Sequence, residues 1–215
     1  MTLTQQEPKA IYIGRVQVWP TPPFTPWPNT LGYRPLKSNL NDYSGNHFDL
    51  TLTSSASVSY NSSTNMAEIT SQVGYYAWAL LPRSWDFTIW FWCYPSSWNS
   101  IGDKDSWWPL WYMCNMPWEY KWNFAIGSYK RLGSTTTVAW PCHIMITRSG
   151  SLFTLYINWQ VNATMTQSGA ISSNSNAFYI DHWQSWISDV IMEGIARTAT
   201  EVTDYYNNSK SEYGL

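Results

Sequence analysis

Short runs of alternating apolar and polar residues recur along the chain from Leu31 onward, separated by clusters of Gly, Asn, Ser and Asp. A period of two is typical of half-buried β-strands, because successive side chains of a strand point to opposite faces. These runs predict an all-β fold built as a two-sheet antiparallel sandwich. The clearest of them are Phe48–Thr53, Tyr75–Leu80, Phe87–Tyr94, Cys142–Thr147, Leu152–Asn158, Ala177–Asp181 and Ile187–Ile195.

The run Phe87–Tyr94 is apolar on both of its faces. Its alternate side chains divide into the set Phe87, Ile89, Phe91 and Cys93 and the set Thr88, Trp90, Trp92 and Tyr94. A strand with two apolar faces is covered on both sides. We therefore predict that this run is a central strand.

Two local signals mark a turn and a helix. The tetrapeptide Arg148–Ser151 contains Gly150 between two alternating runs, which predicts the turn of a hairpin. Near the C-terminus, Thr198 and Glu201 have the spacing of a capping box, in which each side chain satisfies a backbone N–H of the first helical turn. The sequence therefore predicts one short C-terminal helix.

The first 28 residues differ from the rest of the chain. The β-rich run Ile11–Val18 is followed by five prolines between Pro20 and Pro28, which fix φ and remove backbone donors. We predict an N-terminal strand and Pro-rich linker over residues 1–28 and the sandwich over residues 29–215. The linker either crosses the outside of the sandwich or tethers the domain to something larger.

Composition narrows the classes of partner. Charged residues make up 12% of the 215 residues, about half of the roughly 25% of an average soluble domain. A net charge of -2 does not suit a phosphate backbone, so we expect no nucleic-acid partner. Met1–Lys9 is polar and no run of about eighteen apolar residues occurs, so we expect neither a signal peptide nor membrane insertion.

The three cysteines, Cys93, Cys114 and Cys142, are far apart in the sequence. Their spacing matches neither a metal-binding motif nor a disulfide framework, so we expect buried free thiols. One pair at most can form a bridge, and only the geometry decides which.

Four stretches resemble the laminin G-like domains of the concanavalin A-like lectin/glucanase superfamily. They are the polar turn in Pro35–Asn46, the strand Asp86–Trp92, the hairpin His143–Gln160 and the closing strand and helix Trp186–Asn207. The resemblance implies a jelly-roll sandwich that binds at its concave face or rim loops. The superfamily contains lectins, adhesion modules and glycosidases, so the resemblance does not imply one activity.

The N-terminal phrase Ile11–Gly14, with the Pro-rich linker, resembles phage tail-associated or virion surface proteins. This resemblance implies a virion or extracellular surface location and other virion proteins as further partners.

Tryptophan usage is unusual, with 16 Trp beside 11 Gly. The second hairpin turn has Asn158–Trp159 where the laminin G-like pattern has Asn-Gly, although Trp disfavours the positive φ of such a turn. One hypothesis is that Trp159, and with it Trp122, Trp183 and Trp186, comes from UGA codons that the source organism translates as Gly. The alternative is a genuine Trp in a longer or bulged loop.

The segment from Trp98 to Trp122 is the richest in aromatic residues and is our candidate binding site. Aromatic faces stack on the apolar faces of sugar rings, while amides and carboxylates bind hydroxyls. The alternative is that these rings fill the core or come from the recoded glycine codons described above. The predicted ligand-binding residues are Trp98, Asp103, Asp105, Trp107, Trp108, Trp111, Asn115 and Glu119.

Catalytic and metal-binding patterns are weak. The sequence lacks the E-x-D-x-x-E strand that carries the catalytic carboxylates of the glucanases. We interpret Asp189 and Glu193 as part of a polar outer face. We interpret His143 as a structural residue. We expect no enzyme activity and no cofactor. Ca²⁺ held in rim loops is the one alternative, and the oxygens for it come from Asp42, Asp103, Asp105 and Asp181.

These observations favour a non-catalytic glycan-binding module, lectin-like, in a receptor-binding or adhesion part of a virion or tail fibre. A structural or decoration protein that docks through its N-terminal segment is the second hypothesis. A glycoside hydrolase is the third.

Overall fold

The computed structural model describes residues 11–13, 16–19, 29–52, 57–75, 86–94, 100–104, 109–116, 121–126, 130–135, 141–169 and 178–215. Within these ranges the chain forms fifteen strands, one α-helix, α1 (Ala199–Ser209), and one 3-10 helix, η1 (Lys210–Tyr213). The strands are β1 (Ile11–Ile13), β2 (Val16–Trp19), β3 (Thr30–Arg34), β4 (Thr51–Leu52), β5 (Ser57–Asn61), β6 (Met66–Tyr75), β7 (Phe87–Tyr94), β8 (Ser100–Lys104), β9 (Pro109–Met116), β10 (Lys121–Ile126), β11 (Lys130–Gly133), β12 (Cys142–Ser149), β13 (Leu152–Ile157), β14 (Gln160–Thr166) and β15 (Phe178–Glu193).

The long strand β15 is shared by two antiparallel layers. Its C-terminal half pairs with β3 and β7, and the order β3-β15-β7-β12-β13-β14 forms what we call the helix-covered layer. Its N-terminal half pairs with β6 and β8, and β6 carries β4 and β5 while β8 continues into β9, β10 and β11, which gives the second layer. The predicted all-β antiparallel fold is confirmed.

The free edges of the two layers meet on the side opposite β15. Beyond the end of β11, the backbone N–H of Thr135 donates to the Oδ1 atom of Asn162 on β14, at 2.7 Å. Leu132 of β11 is buried in the same core that Ala163 of β14 packs against. The two layers are therefore connected through β15 and also meet where β11 lies beside β14.

The core between the layers consists of aliphatic, phenylalanine and cysteine side chains. Phe87, Ile89, Phe91 and Cys93 of β7 all face it, together with Ile69 of β6 from the second layer. All five side chains are fully buried. The inward set of β7 is thus the one that the alternation predicted.

Helix α1 covers the opposite face of β7. Trp90 packs with Tyr33, Met145, Tyr156, Ile191, Val202 and Tyr205, and Trp92 packs with Met66, Tyr206 and Tyr213. The helix begins with the predicted capping box, because Thr198 accepts from the backbone N–H of Glu201 and Glu201 accepts from the backbone N–H of Thr198. The prediction that β7 is central and covered on both sides is confirmed.

Three strand predictions differ from the structure. The runs Ala177–Asp181 and Ile187–Ile195 were predicted separately, but residues 178–181 and 187–193 belong to one continuous strand, β15, whose register shifts between Ser188 and Ile191. In the described part of the run Phe48–Thr53, residues 48–52, only Thr51 and Leu52 form a strand, β4. The predicted run Tyr75–Leu80 lies outside the described residues from position 76 onward and stays a prediction.

The N-terminal run predicted as one strand is divided in two. β1 and β2 pair with each other as an antiparallel hairpin and form a sheet of their own. The prolines from Pro20 to Pro28 lie outside the described residues.

No helix among the described residues has the length and apolar character needed to cross a membrane.

Candidate functional site

Three of the eight predicted site residues lie in described strands of the second layer. Asp103 on β8 is directly opposite Trp111 on β9, and Asn115 on β9 is directly opposite Trp122 on β10. The register thus brings the backbones of an acidic residue and a predicted stacking residue together. The other five, Trp98, Asp105, Trp107, Trp108 and Glu119, lie outside the described residues.

A second group of candidate residues forms one row across four neighbouring strands. Ser59 of β5 is opposite Glu68 of β6, Glu68 is opposite Trp186 of β15, and Trp186 is opposite Tyr94 of β7. Residues directly opposite one another in antiparallel strands lie on the same face, with neighbouring Cβ atoms about 5 Å apart. We call this group the aromatic row.

The face on which the aromatic row lies follows from its neighbours. Trp186 and Tyr94 pack against Trp92 and Met66, beside the end of α1. The next residue, Ile187, belongs to the core between the layers, so Trp186 points away from that core. The row therefore lies on the outer face, at the border of the area that α1 covers.

Tyr94 and Trp186 form an edge-to-face aromatic pair. Their ring centroids are 5.7 Å apart and the ring planes make an angle of 67°. Both side chains are half-buried, and Ser59 at the other end of the row is exposed and donates from Oγ to the Oε2 atom of Glu68, at 3.4 Å. A partly exposed ring beside a carboxylate and a hydroxyl is suited to a ligand that has both apolar faces and hydroxyl groups, such as a sugar.

The aromatic row has no signature in the sequence. Its members are spread from Ser59 to Trp186, and no motif links them. Tyr94 was the only member that the alternation of β7 marked as facing outward. Its neighbour Trp186 is set by strand pairing, which the sequence does not show.

His143 lies in a cage of aromatic rings beneath α1. Its ring centroid is 5.1 Å from that of Trp92, 5.6 Å from those of Trp90 and Tyr205, and 6.1 Å from that of Tyr206. The imidazole is fully buried, and neither ring nitrogen has a hydrogen-bond partner among the described residues. Burial lowers the pKa of His143 to about 3, so the ring is neutral at pH 7 and serves in packing, as predicted.

Asp189 is fully buried, which corrects the prediction of a polar outer face. A positive φ of 49° places it in a bulge of β15, and its backbone N–H donates to the carbonyl of Pro35, at 3.0 Å. Its carboxylate accepts from the hydroxyl of Tyr213 at 2.5 Å and lies 3.5 Å from the Lys37 Nζ atom. The bulge places the side chain beneath η1 on the helix-covered side, where it joins β3, β15 and η1.

Glu193, the other residue of that prediction, is also buried. Arg197 donates to it through two nitrogens, Nε at 3.0 Å and Nη2 at 2.6 Å, and donates from Nη1 to Glu201 at 2.8 Å. Burial raises the pKa of Glu193 and also that of Asp189. Both carboxylates are thus shielded from solvent and engaged by protein donors, an arrangement that stabilises the fold and leaves neither one open to a substrate.

Asp42, one of the four possible Ca²⁺ ligands, organises the polar turn of Pro35–Asn46. Its Oδ1 atom accepts from the backbone N–H groups of Tyr33 and Ser44, at 2.8 and 3.0 Å. Its Oδ2 atom accepts from the Ser44 hydroxyl and the Phe48 N–H, at 2.8 and 3.0 Å. Because both oxygens accept protein hydrogen bonds, this carboxylate is a poor cation ligand. Within the described part of the chain, no three or more His, Cys, Asp or Glu side chains come together as a metal site would require.

The turn at Trp159 has the tight geometry that favours glycine. β13 ends at Ile157 and β14 begins at Gln160, so the turn contains only Asn158 and Trp159, with φ of 46° and 66°. Positive φ at both central positions is what a type I′ turn requires. The longer-loop alternative is wrong, although the hairpin has a register shift further in, between Leu155 and Tyr156.

No protein-family model matches the sequence, and no curated protein matches it. Solved structures do match the fold. The binding domain of Paraclostridial Mosquitocidal Protein 1 is 15% identical, with a TM-score of 0.66 over 83% of this chain and 52% of that one. The receptor binding domain of botulinum neurotoxin D is 12% identical, with a TM-score of 0.64 over 84% of this chain and 53% of that one.

A third structure was determined with a sugar. It is the ligand binding domain of botulinum neurotoxin serotype D in complex with N-acetylneuraminic acid, which is 12% identical, with a TM-score of 0.62 over 83% of this chain and 50% of that one. At these identities the likeness shows a shared β-rich fold. This chain spans about half the length of each of the three binding domains.

Proposed function

We propose that this chain is a non-catalytic glycan-binding module whose sugar site includes the aromatic row. The observation that carries the proposal is the partly exposed Tyr94–Trp186 pair in line with Glu68 and Ser59. The rings supply apolar surface for one face of a sugar, and the carboxylate and hydroxyl supply polar partners for its hydroxyls.

The likeness to toxin binding domains adds support at the level of the fold. One of those domains was solved with N-acetylneuraminic acid, but it is twice as long as the region matched here. We therefore propose a glycan in general as the ligand. The eight predicted residues of the segment 98–122 remain a second proposed sugar site on the same module.

A glycan array tests the function, and matched variants test the site. We expect Trp186→Ala and Tyr94→Ala each to weaken binding about tenfold, since losing a stacking contact costs about 1 kcal/mol or more. Tyr60→Ala is the control, because Tyr60 is an exposed aromatic residue on β5 outside the row. Absence of binding to any glycan by the folded protein would refute the proposed function.

Trp111→Ala and Asn115→Ala distinguish the two proposed sites. If these variants alone lose binding, the sugar lies on β9, as the sequence analysis proposed, and the aromatic row is not the site. If only Trp186→Ala and Tyr94→Ala lose binding, the row is the site.

The laminin G-like family and a virion or extracellular surface location also remain proposals. They are supported by the motifs of the sequence and, for the location, by the N-terminal phrase Ile11–Gly14. The neighbouring genes test the location. We expect the gene for this chain to lie among genes for tail or virion proteins.

The second candidate function, a structural or decoration protein, is favoured by the hairpin of β1 and β2. This hairpin forms a sheet separate from the sandwich, which suits an element that docks to a neighbour. Concentration-dependent assembly that is lost on deleting residues 1–28 is the expected result, and sedimentation measures it. A chain that stays monomeric at all concentrations, alone and with co-expressed virion proteins, would exclude this role.

A further inference from the structure

Two cysteines meet where the end of β7 pairs with the start of β12 in the helix-covered layer. Cys93 on β7 is directly opposite Cys142 on β12, and their sulfur atoms lie 3.3 Å apart. Both side chains are fully buried in the core between the layers, and both are free thiols.

The backbone at this pair has the geometry of a disulfide. Directly opposite residues of antiparallel strands have Cα atoms about 4.5 or 5.5 Å apart, and both values fall within the range of about 4.4–6.8 Å found for disulfides. Small rotations of the two side chains can therefore bring the sulfurs together without moving the strands. The third cysteine, Cys114 on β9, is opposite Asn123 and Ser100, so the register gives it no cysteine partner.

We propose that Cys93 and Cys142 form a cross-strand disulfide when the chain folds under oxidising conditions. The oxidant is a disulfide of the glutathione type, either a small molecule or the active-site disulfide of an oxidoreductase. One cysteine thiolate attacks the donor disulfide and releases one donor thiol, and the second thiolate then displaces the other. The two cysteines lose two electrons and two protons in all, and the donor gains them as two thiols.

Burial determines when the bond forms. Burial raises the pKa of the Cys93 thiol, and neither sulfur is exposed in the folded chain, so the completed fold reacts slowly. Exchange therefore occurs while β7 and β12 are pairing and before the second layer covers them. Once formed, the bond is protected from soluble reductants by the same burial.

The bridge closes the part of the chain that carries β8 to β11. Cys93 and Cys142 are separated by 49 positions, and the predicted residues Asp103, Trp111 and Asn115 lie between them. Cross-linking a loop of this length lowers the entropy of the unfolded chain. The disulfide does not depend on the proposed glycan binding, and its test measures no ligand.

The experiment is refolding of the full chain from denaturant, once with reduced and oxidised glutathione and once with a phosphine reductant. After oxidative refolding, blocking free thiols in denaturant and digesting without reduction should give one linked Cys93–Cys142 peptide and an alkylated Cys114. We expect the oxidised form to melt about 10 °C higher than the reduced form. Recovery of Cys93 and Cys142 as alkylated thiols, or a bridge that includes Cys114, would overturn the proposal.

Two variants control for other causes. Cys114→Ser should keep both the linked peptide and the difference in melting temperature. The double variant Cys93→Ala/Cys142→Ala should melt at the same temperature in both buffers. If the double variant does not fold, the peptide map of the natural chain still decides.

Discussion

The two faces of β7 are both buried, but they differ in chemistry. Phe87, Ile89 and Phe91 meet apolar and cysteine side chains of the two layers. On the other face, Trp92 lies beneath α1 among polar groups, and its indole Nε1 donates to the hydroxyl of Ser209, at 3.2 Å. Packing on the inner face is therefore determined by the shape and volume of the side chains. The outer face also contains hydrogen-bonding and titratable groups.

The outer face also reaches the surface, where Tyr94 meets Trp186. The same strand thus stabilises the fold with one set of side chains and presents a candidate binding surface with the other. Substitutions on the inner face should alter only the free energy of unfolding. Substitutions on the outer face should also alter the pH dependence of that free energy or the binding of a ligand.

The largest effect is expected from Phe91→Ala on the inner face. Phe91 is fully buried, and removing such a ring loses its burial and leaves a cavity, which costs about 3–5 kcal/mol of unfolding free energy. Urea denaturation measures the loss. Tyr94→Ala, on the same strand but half-buried, is the control and should lose less, and equal losses would contradict the difference between the faces.

The next effect concerns pH and His143 on the outer face. Its pKa is about 3 in the folded chain and about 6.5 in the unfolded chain, so between these values only the unfolded state binds the proton. Stability therefore falls as the pH falls below 6.5. The surrounding rings of Trp90, Trp92, Tyr205 and Tyr206 carry no charge in this range, so the imidazole is the cause.

The variant His143→Leu isolates the contribution of His143 to the pH dependence of stability, because the other groups titrate equally in both proteins. Between pH 7 and pH 4, the natural chain should lose about 3 kcal/mol more stability than the variant. Urea titrations at the two pH values measure the difference. Parallel losses in the two proteins would show that the cage tolerates a charged imidazole.

A smaller effect is expected from Trp92→Phe. The variant keeps an aromatic ring beside Tyr213, whose centroid lies 4.4 Å from that of Trp92, but removes the hydrogen bond to Ser209. We expect a loss of about 1–2 kcal/mol, measured by thermal unfolding. The loss should vanish in the background Ser209→Ala if the hydrogen bond causes it.

The smallest effect is expected at the rim of the outer face, from Trp159→Gly. Glycine removes the cost of about 1–2 kcal/mol of a left-handed residue, but the ring contact with Tyr206, at 4.4 Å, is lost. We therefore expect a net gain of about 1 kcal/mol by urea denaturation. A clear loss would indicate that tryptophan is the residue selected there.

The source codons sharpen the same question. UGA at position 159 would support recoding from glycine, and UGG would end that hypothesis. Trp186 differs from Trp159, because it lies in extended strand β15 and packs on Tyr94, so its backbone does not require glycine.

Local patterns predicted much of the helix-covered layer. β7 was predicted with its observed bounds, and Gly150, with φ of 58°, makes the turn between β12 and β13. Both predictions were correct because a strand's alternation and a turn's glycine are set by residues next to each other in the sequence. β6 was missed because its inward face includes the small Ala67 and its outward face carries Glu68, which weakens the alternation.

The alternation of apolar and polar residues could not predict the bulge in β15. A residue with positive φ at Asp189 changes which side chains share a face, so strict period-two alternation does not hold through the predicted run Ile187–Ile195. The predicted residues Asp103, Trp111 and Asn115 lie in paired strands, and their role in binding stays a prediction.

The sequence by itself determined which side chains of a regular strand such as β7 share a face, where the helix begins and where the tight turns fall, because each follows from residues a few positions apart. Only the tertiary structure decided which strands are neighbours and in what register. That register places Cys93 opposite Cys142 and aligns Glu68, Trp186 and Tyr94. The physical reason is that strand pairing joins residues distant in the sequence, and its free energy depends on the whole core that forms around them.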